Sequence, residues 1–180
     1  GGFSIAGPQT YTATNGTDIT LGGHLSSTAP GDITFKSAID LNAAATIAFD
    51  ATGGGDFSTS KMVFENSVDE SFALTVNAGS GAVEFRSGIG ENPLASLNVT
   101  AANILLSDVT TSGAQTFSGA VTFSGDVALD TTGADSSGDA ITFNSSVDSP
   151  HNLSVDAGSG NVTFSAAVGG AGDGTELGSG

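Results

Sequence analysis

The 180-residue chain carries 19 acidic residues against three basic ones, for a formal net charge of −16, with no cysteine and no tryptophan. A chain without a basic stripe is excluded as a nucleic-acid binder and as a ligand of anionic membrane surfaces, and with no window of about 18 unbroken apolar residues it inserts no helix into a membrane. The lack of cysteine removes disulfide frameworks and thiolate metal sites, and only 12% of residues are charged, where globular domains average about 25%.

In chain order, residues 1–22 hold an opening coil with Gln9-Thr10-Tyr11 and a turn at Asn15-Gly16, then Ile19-Thr20-Leu21. Residues 23–46 contain a further coil with a turn at Pro30-Gly31. The strand AAATIAF leads into an acidic, glycine-rich loop between Asp50 and Asp56. From Leu74 to Asp130 short apolar alternations (LTV, VEF, LNV, ILL, QTF, VTF, VAL) are separated by small or polar residues. A second acidic loop, DTTGADSSGD, carries Asp130, Asp135 and Asp139. Helices are expected to be absent.

The chain repeats itself. Residues 64–90 laid over 143–169, a shift of 79, share 13 identities in 27 positions. IAFDATG from Ile47 matches VALDTTG from Val127, and GPQTYTAT from Gly7 matches GAQTFSGA from Gly113. The first copy, about 7–109, carries 26 residues that the second, about 113–180, lacks. A globular core rarely absorbs such an insertion, whereas a stack whose layers touch only their neighbours takes it as one more coil. The expectation is a single β-solenoid segment over residues 1–180.

Within the long repeat lies a shorter one. Seven times a Phe is followed four residues later by Val or Ile: Phe35, Phe64, Phe85, Phe117, Phe123, Phe143 and Phe164 begin the motif, and Leu21 to Leu25 is an eighth instance. The intervening triplets are rich in Ser, Gly and Asn, which disfavours a helix. The pattern reads as a short strand, a corner and a second strand, with both apolar residues pointing inward. The seven Phe residues are expected to form one interior stack, each contributing about 1.5 to 3 kcal/mol by burial. Spacings of 20 and 21 between motif phenylalanines predict coils of about 20 residues, hence about nine coils and a rod of roughly 40 Å. The rival fold, an all-β sandwich, would need longer hairpin strands joined by NG or DG turns, which are scarce.

The chemistry-bearing residues are few. The acids keep a hydroxyl-rich surface soluble and discourage mispaired strand edges; alternatively Asp50, Asp56, Asp130, Asp135 and Asp139 ligate calcium, since hard cations take several oxygens from bendable loops. Neither loop has EF-hand spacing, and GGAGDGTEL only superficially matches a calcium-binding nonapeptide repeat. Polysaccharide-lyase chemistry would need acids beside a positioned cation, but Arg86 reads as a surface substitution, and His24 and His151 are isolated. No nucleophile elbow, phosphate loop or zinc motif occurs; no catalytic or cofactor-binding residue is expected, and calcium is the one candidate ion. Asn15, Asn98, Asn144, Asn152 and Asn161 begin N-x-S/T triplets, in a chain where 45 residues are Ser or Thr. Thr10, Thr12 and Thr14 suggest a threonine array, but their counterpart is TFSGA, so no regular flat array is expected.

The run LTVNAGSGAVEFRSGIGENPLASLNVTAANILLSDVTTSGAQTFSGAVTFSGDVAL resembles the repeats of very large secreted bacterial surface proteins of the filamentous-haemagglutinin-like kind. The likeness covers about residues 64–130 and again 143–179, and departs at 21–46. It implies a right-handed parallel β-helix, export to the cell surface, and a role in adhesion, aggregation or extracellular fibres. Neither end of the sequence reads as a cap, and ELGS near residue 178 matches PLAS at 93–96, after which the first copy continues. The expectation is therefore a stiff acidic shaft that continues in a longer chain or stacks end to end on another copy. The alternative is a calcium- or glycan-binding solenoid module; a sugar platform would want exposed Trp or Tyr, and the chain has one Tyr.

Overall fold

The computed structural model describes residues 3–14, 16–49, 56–133 and 135–169, with the side chains of Phe3 and Phe49 left aside. Over these residues the chain is all β, with 17 strands in one continuous parallel sheet and no helix. It winds as a parallel β-solenoid of about 7 turns of roughly 22 residues. The expected coil of about 20 residues is borne out, the expected count of about nine coils becomes about seven, and the stack is about 34 Å tall at ~4.8 Å per layer. The higher count missed two turns that carry loops: partners are 29 residues apart between Phe35 and Phe64 and 26 apart between Phe117 and Phe143.

Each turn crosses three faces. The first face begins with β1 (Phe3–Ile5), the second with β2 (Gln9–Tyr11) and the third with the start of β3 (Ile19–Ser27). β3, β5 (Ile39–Phe49), β11 (Ser96–Leu106) and β13 (Gln115–Phe123) each bend round a corner and serve two faces. In β3 and β11 the register slips at the bend, between Leu21 and Gly23 and between Thr100 and Asn103. The motif of Phe, three residues and Val is the corner itself. It turns the second face into the third at Phe35, Phe64, Phe85 and Phe123. It turns the first face into the second at Phe117, Phe143 and Phe164. Leu21 to Leu25 marks the remaining corner, from the third face to the first.

The expected single phenylalanine stack is therefore two. On the second face Tyr11, Phe35, Phe64 and Phe85 stack with centroids 5.1, 5.1 and 4.7 Å apart, and the column continues through Leu106 to Phe123. On the first face Phe117, Phe143 and Phe164 stack at 5.3 and 4.9 Å. The two ladders alternate along the axis for a volumetric reason. Where the second face supplies a ring, the first supplies Leu25, Ile47 or Val76; where the first face supplies Phe143, the second supplies Val147 and the small buried Ser149. A close-packed interior of constant cross-section accepts one large ring per layer more readily than two. Two turns hold a second buried ring: Phe117 and Phe123 share one, and Phe57 is fully buried in the turn of Phe64.

The sequence repeat is consequently not a repeat of position. Phe64 lies on the second face and its counterpart Phe143 on the first, because three full turns (Phe85, Leu106, Phe123) and two thirds of a fourth separate them. Leu74 and Val76 lie on the first face, but Leu153 and Val155 on the third. The 26 residues that only the first copy has amount to one added turn. Between Gln9 and Ile47 the chain crosses each face as it does from Gln115 to Leu129, plus one complete circuit.

Candidate functional site

The acidic residues sort by what their oxygens hold. Four act between layers. Asp32 Oδ1 accepts the Lys61 N–H at 2.8 Å, Asp69 Oδ1 the Glu91 N–H at 2.7 Å, Asp108 Oδ1 the Ala128 N–H at 2.8 Å and Asp126 Oδ1 the Asn152 N–H at 2.9 Å. At corners where successive turns differ in length, a backbone donor is left outside the ladder, and a carboxylate from the layer below satisfies it. The Asn152 backbone and side-chain donors hold the Asp126 carboxyl below the ordinary carboxylate range.

The four calcium candidates among the described residues do not all meet: Asp56 is at one corner, and Asp130, Asp135 and Asp139 are at another. Asp50 lies outside the described residues. Asp56 is at the corner between the first and second faces, where its Oδ1 accepts the Ser58 N–H at 2.8 Å, which lowers its pKa. Asp130, Asp135 and Asp139 lie at a different corner, between the third face and the first. The two loops, which match in sequence, thus lie at different corners, because the repeats that contain them are displaced by one face. Asp130 Oδ1 accepts the Thr132 N–H at 2.6 Å and its hydroxyl at 2.7 Å. Asp135 Oδ1 accepts the Ser137 hydroxyl and, at 2.8 Å, its N–H, and these donors depress its pKa. Asp139 anchors the loop by its backbone, exchanging hydrogen bonds of 2.8 and 2.9 Å with the buried Thr131 hydroxyl. Among the described residues no three His, Asp or Glu side chains converge in a way that could hold a metal ion.

Two of the three cations serve one carboxylate on the second face. Glu84 accepts from Lys61 Nζ at 2.6 Å and from Arg86 Nη2 at 2.6 Å and Nε at 3.1 Å. Partial burial pushes the Glu84 carboxyl up, but the hydrogen bonds from Lys61 and Arg86 outweigh it and the net shift is downward. Arg86 is half exposed and also approaches Glu65 at 3.9 Å. His24 is exposed on the first face, and His151 follows a turn held by Ser149 Oγ.

Two features escaped the sequence. Gln115 is fully buried, and its Nε2 donates to Asp130 O at 2.9 Å, Thr111 Oγ1 at 3.2 Å and Val109 O at 3.3 Å while its Oε1 has no partner. The second feature is a row that no sequence window contains. Along the outside of the first face the register aligns His24, Thr46, Thr75, Asn98, Thr116, Thr142 and Thr163. A flat threonine-rich array therefore exists, against expectation, but it runs across the layers and not along Thr10 to Thr14. Only the pairing register could have revealed it.

A shallow open groove of about 520 Å³ lies on the third face, lined by Asp108, Asp126, Ala128 and Asn152, and its carboxylates are already engaged by backbone donors. Comparison with protein-family models, with curated proteins and with solved structures finds no match.

Proposed function

We propose that the chain is a structural segment of an extracellular bacterial adhesin or surface fibre, a stiff acidic shaft able to stack end to end. The observation that carries this reading is the continuous parallel ladder: every turn pairs in parallel with the next on all three faces, with register shifts where β3, β10 and β11 bend, and apolar columns run the length of the rod. Such a stack resists bending because each layer is bonded to its neighbours by the full backbone ladder. The acids support the same reading, since their most frequent partner is a backbone N–H in the next layer or the same turn. In the last described layer Val162, Phe164 and Val168 remain about 40% exposed in ladder register, the surface on which a further coil, from the same chain or another, would seat. The extracellular setting comes from the sequence resemblance.

The test is electron microscopy of the purified chain with and without millimolar calcium. Fibres with a layer repeat near ~4.8 Å would support a self-stacking subunit. Monodisperse short rods in both conditions would remove self-stacking and leave a passive shaft. Order that appears only with calcium would favour the calcium-binding alternative.

A further inference from the structure

Among the described residues, the strands of the first face carry no formal charge, unlike those of the other two. Its outer row of His24, Thr46, Thr75, Asn98, Thr116, Thr142 and Thr163 is flanked by a second row, Ala48, Asn77, Thr100 and Ser118, which ends at the buried Ser26. None of the strand segments that build this face contains Asp, Glu, Lys or Arg, and His24 is its one titratable group. The third face stacks Asp40 on Asp69 and Asp130 on Asp156, while the second holds Glu84 with Lys61 and Arg86. In a chain of net charge −16, the acids have been kept off one face.

From this we infer that the first face is a self-association surface, which packs against the same face of a second copy so that two rods lie side by side. Two copies meeting through their third faces would bring carboxylate ladders together; through their first faces they bring no charge out of water. The face is also regular in register. Beneath it the column Leu25, Ile47, Val76, Val99, Phe117, Phe143 runs in register through every layer, with Phe143 and Phe164 stacked 1° from parallel. Parallel in-register sheets mate through identical side-chain ladders, and Asn ladders strengthen such zippers. Threonine adds a methyl that gains from burial and a hydroxyl that bonds to its opposite number. A face of about 34 Å by about 16 Å offers roughly 550 Å² per copy, about 1,100 Å² in total, at the lower end of specific interfaces. Asp56 and the loop of Asp135 and Asp139 lie at its two edges, where salt screens acids more than about 8 Å apart. The pair is therefore a reversible dimer, strengthened by salt. This does not depend on the shaft reading, because lateral pairing closes at two copies and end-to-end stacking does not.

Sedimentation equilibrium of the whole chain at up to about 100 μM tests it, comparing T116D/T142D on the first face with T122D, an exposed outward position on the second face, and with V168D, on the second face in the last described layer. Far-UV circular dichroism checks that each variant stays folded. The expected result is a closed dimer for the wild type, T122D and V168D, favoured by raising salt, and a Kd weakened roughly 100-fold or more in T116D/T142D. A wild-type monomer throughout the range overturns the proposal. So does a dimer that T116D/T142D leaves intact, or association without limit that V168D abolishes, which is end-to-end stacking.

Discussion

Asp40 and Asp69 stand opposite each other on adjacent layers of the third face, so two carboxylates share one strand spacing. Desolvation, then Asp18, Glu70 and Asp69, raise the Asp40 pKa. A carboxyl whose folded pKa exceeds its unfolded value weakens the fold at neutral pH, and that loss fades as pH falls through the raised value. Asp40→Asn is expected to stabilise the protein at pH 7 by roughly 0.5 kcal/mol and to change little near pH 3. Urea unfolding at the two pH values measures both.

Asp126 carries the opposite sign. Its carboxyl is depressed by the Asn152 donors, so its contribution is present above the unfolded carboxylate value and is lost as pH falls through the lower folded one. Asp126→Ala should lower the melting temperature at pH 7, and the gap to wild type should close in acid below the folded value. A gap that is constant with pH would mean that the carboxylate does not cap the Asn152 N–H.

Phe143 is sandwiched between Phe117 and Phe164 and is fully buried. Phe143→Ala should cost about 3 to 5 kcal/mol. Phe143→Leu should cost less, because Leu fills the corresponding second-face position at Leu106. Equilibrium denaturation of the pair of variants reads the difference.

Two glycines separate backbone need from mere smallness. Gly90 has φ +80°, and a Cβ there would fall 2.0 Å from the Thr110 carbonyl oxygen, whereas a Cβ at Gly125 would meet nothing within 4 Å. Gly90→Ala is expected to destabilise by about 2 kcal/mol or more, and Gly125→Ala to change stability by less than about 1 kcal/mol. Thermal melts of the two variants suffice.

Gln115→Glu would place a carboxylate among the oxygens of Asp130, Thr111 and Val109 that Nε2 now serves. The ionised form is expected to cost more than about 3 kcal/mol. Burial would raise its pKa, so stability should recover as pH falls, when the neutral acid can donate to the Asp130 carbonyl oxygen. A variant as stable as wild type at pH 8 would show that this position is open to solvent.

The corner motif made the solenoid legible, because Phe and Val four apart with Ser, Gly and Asn between them can bury both side chains only by turning. The added turn in the first copy was legible for the same reason: a stack tolerates whole layers. Which face a residue lies on was not. That depends on the summed length of all earlier turns, and the loops after Phe49 and Asp130 lengthen two of them by amounts that local pattern does not reveal. A single stack was therefore expected where Phe85 and Phe117 belong to different ladders, and acidic loops that match in sequence lie at different corners. The threonine row was hidden for a related reason: Thr46 and Thr75, and Thr116 and Thr142, are neighbours in space but 29 and 26 residues apart along the chain.

The two thirds of a turn left over by the sequence repeat has a consequence for any longer array of such units. Each further copy would begin one face round from the copy before it, and the third would bring the pattern back to its starting face after eleven turns. Loops and phenylalanine ladders carried by every copy would then wind about the axis as a three-start thread. A decoration encoded once per unit would be offered in every direction around the rod, so a partner approaching from any side would meet it within three copies.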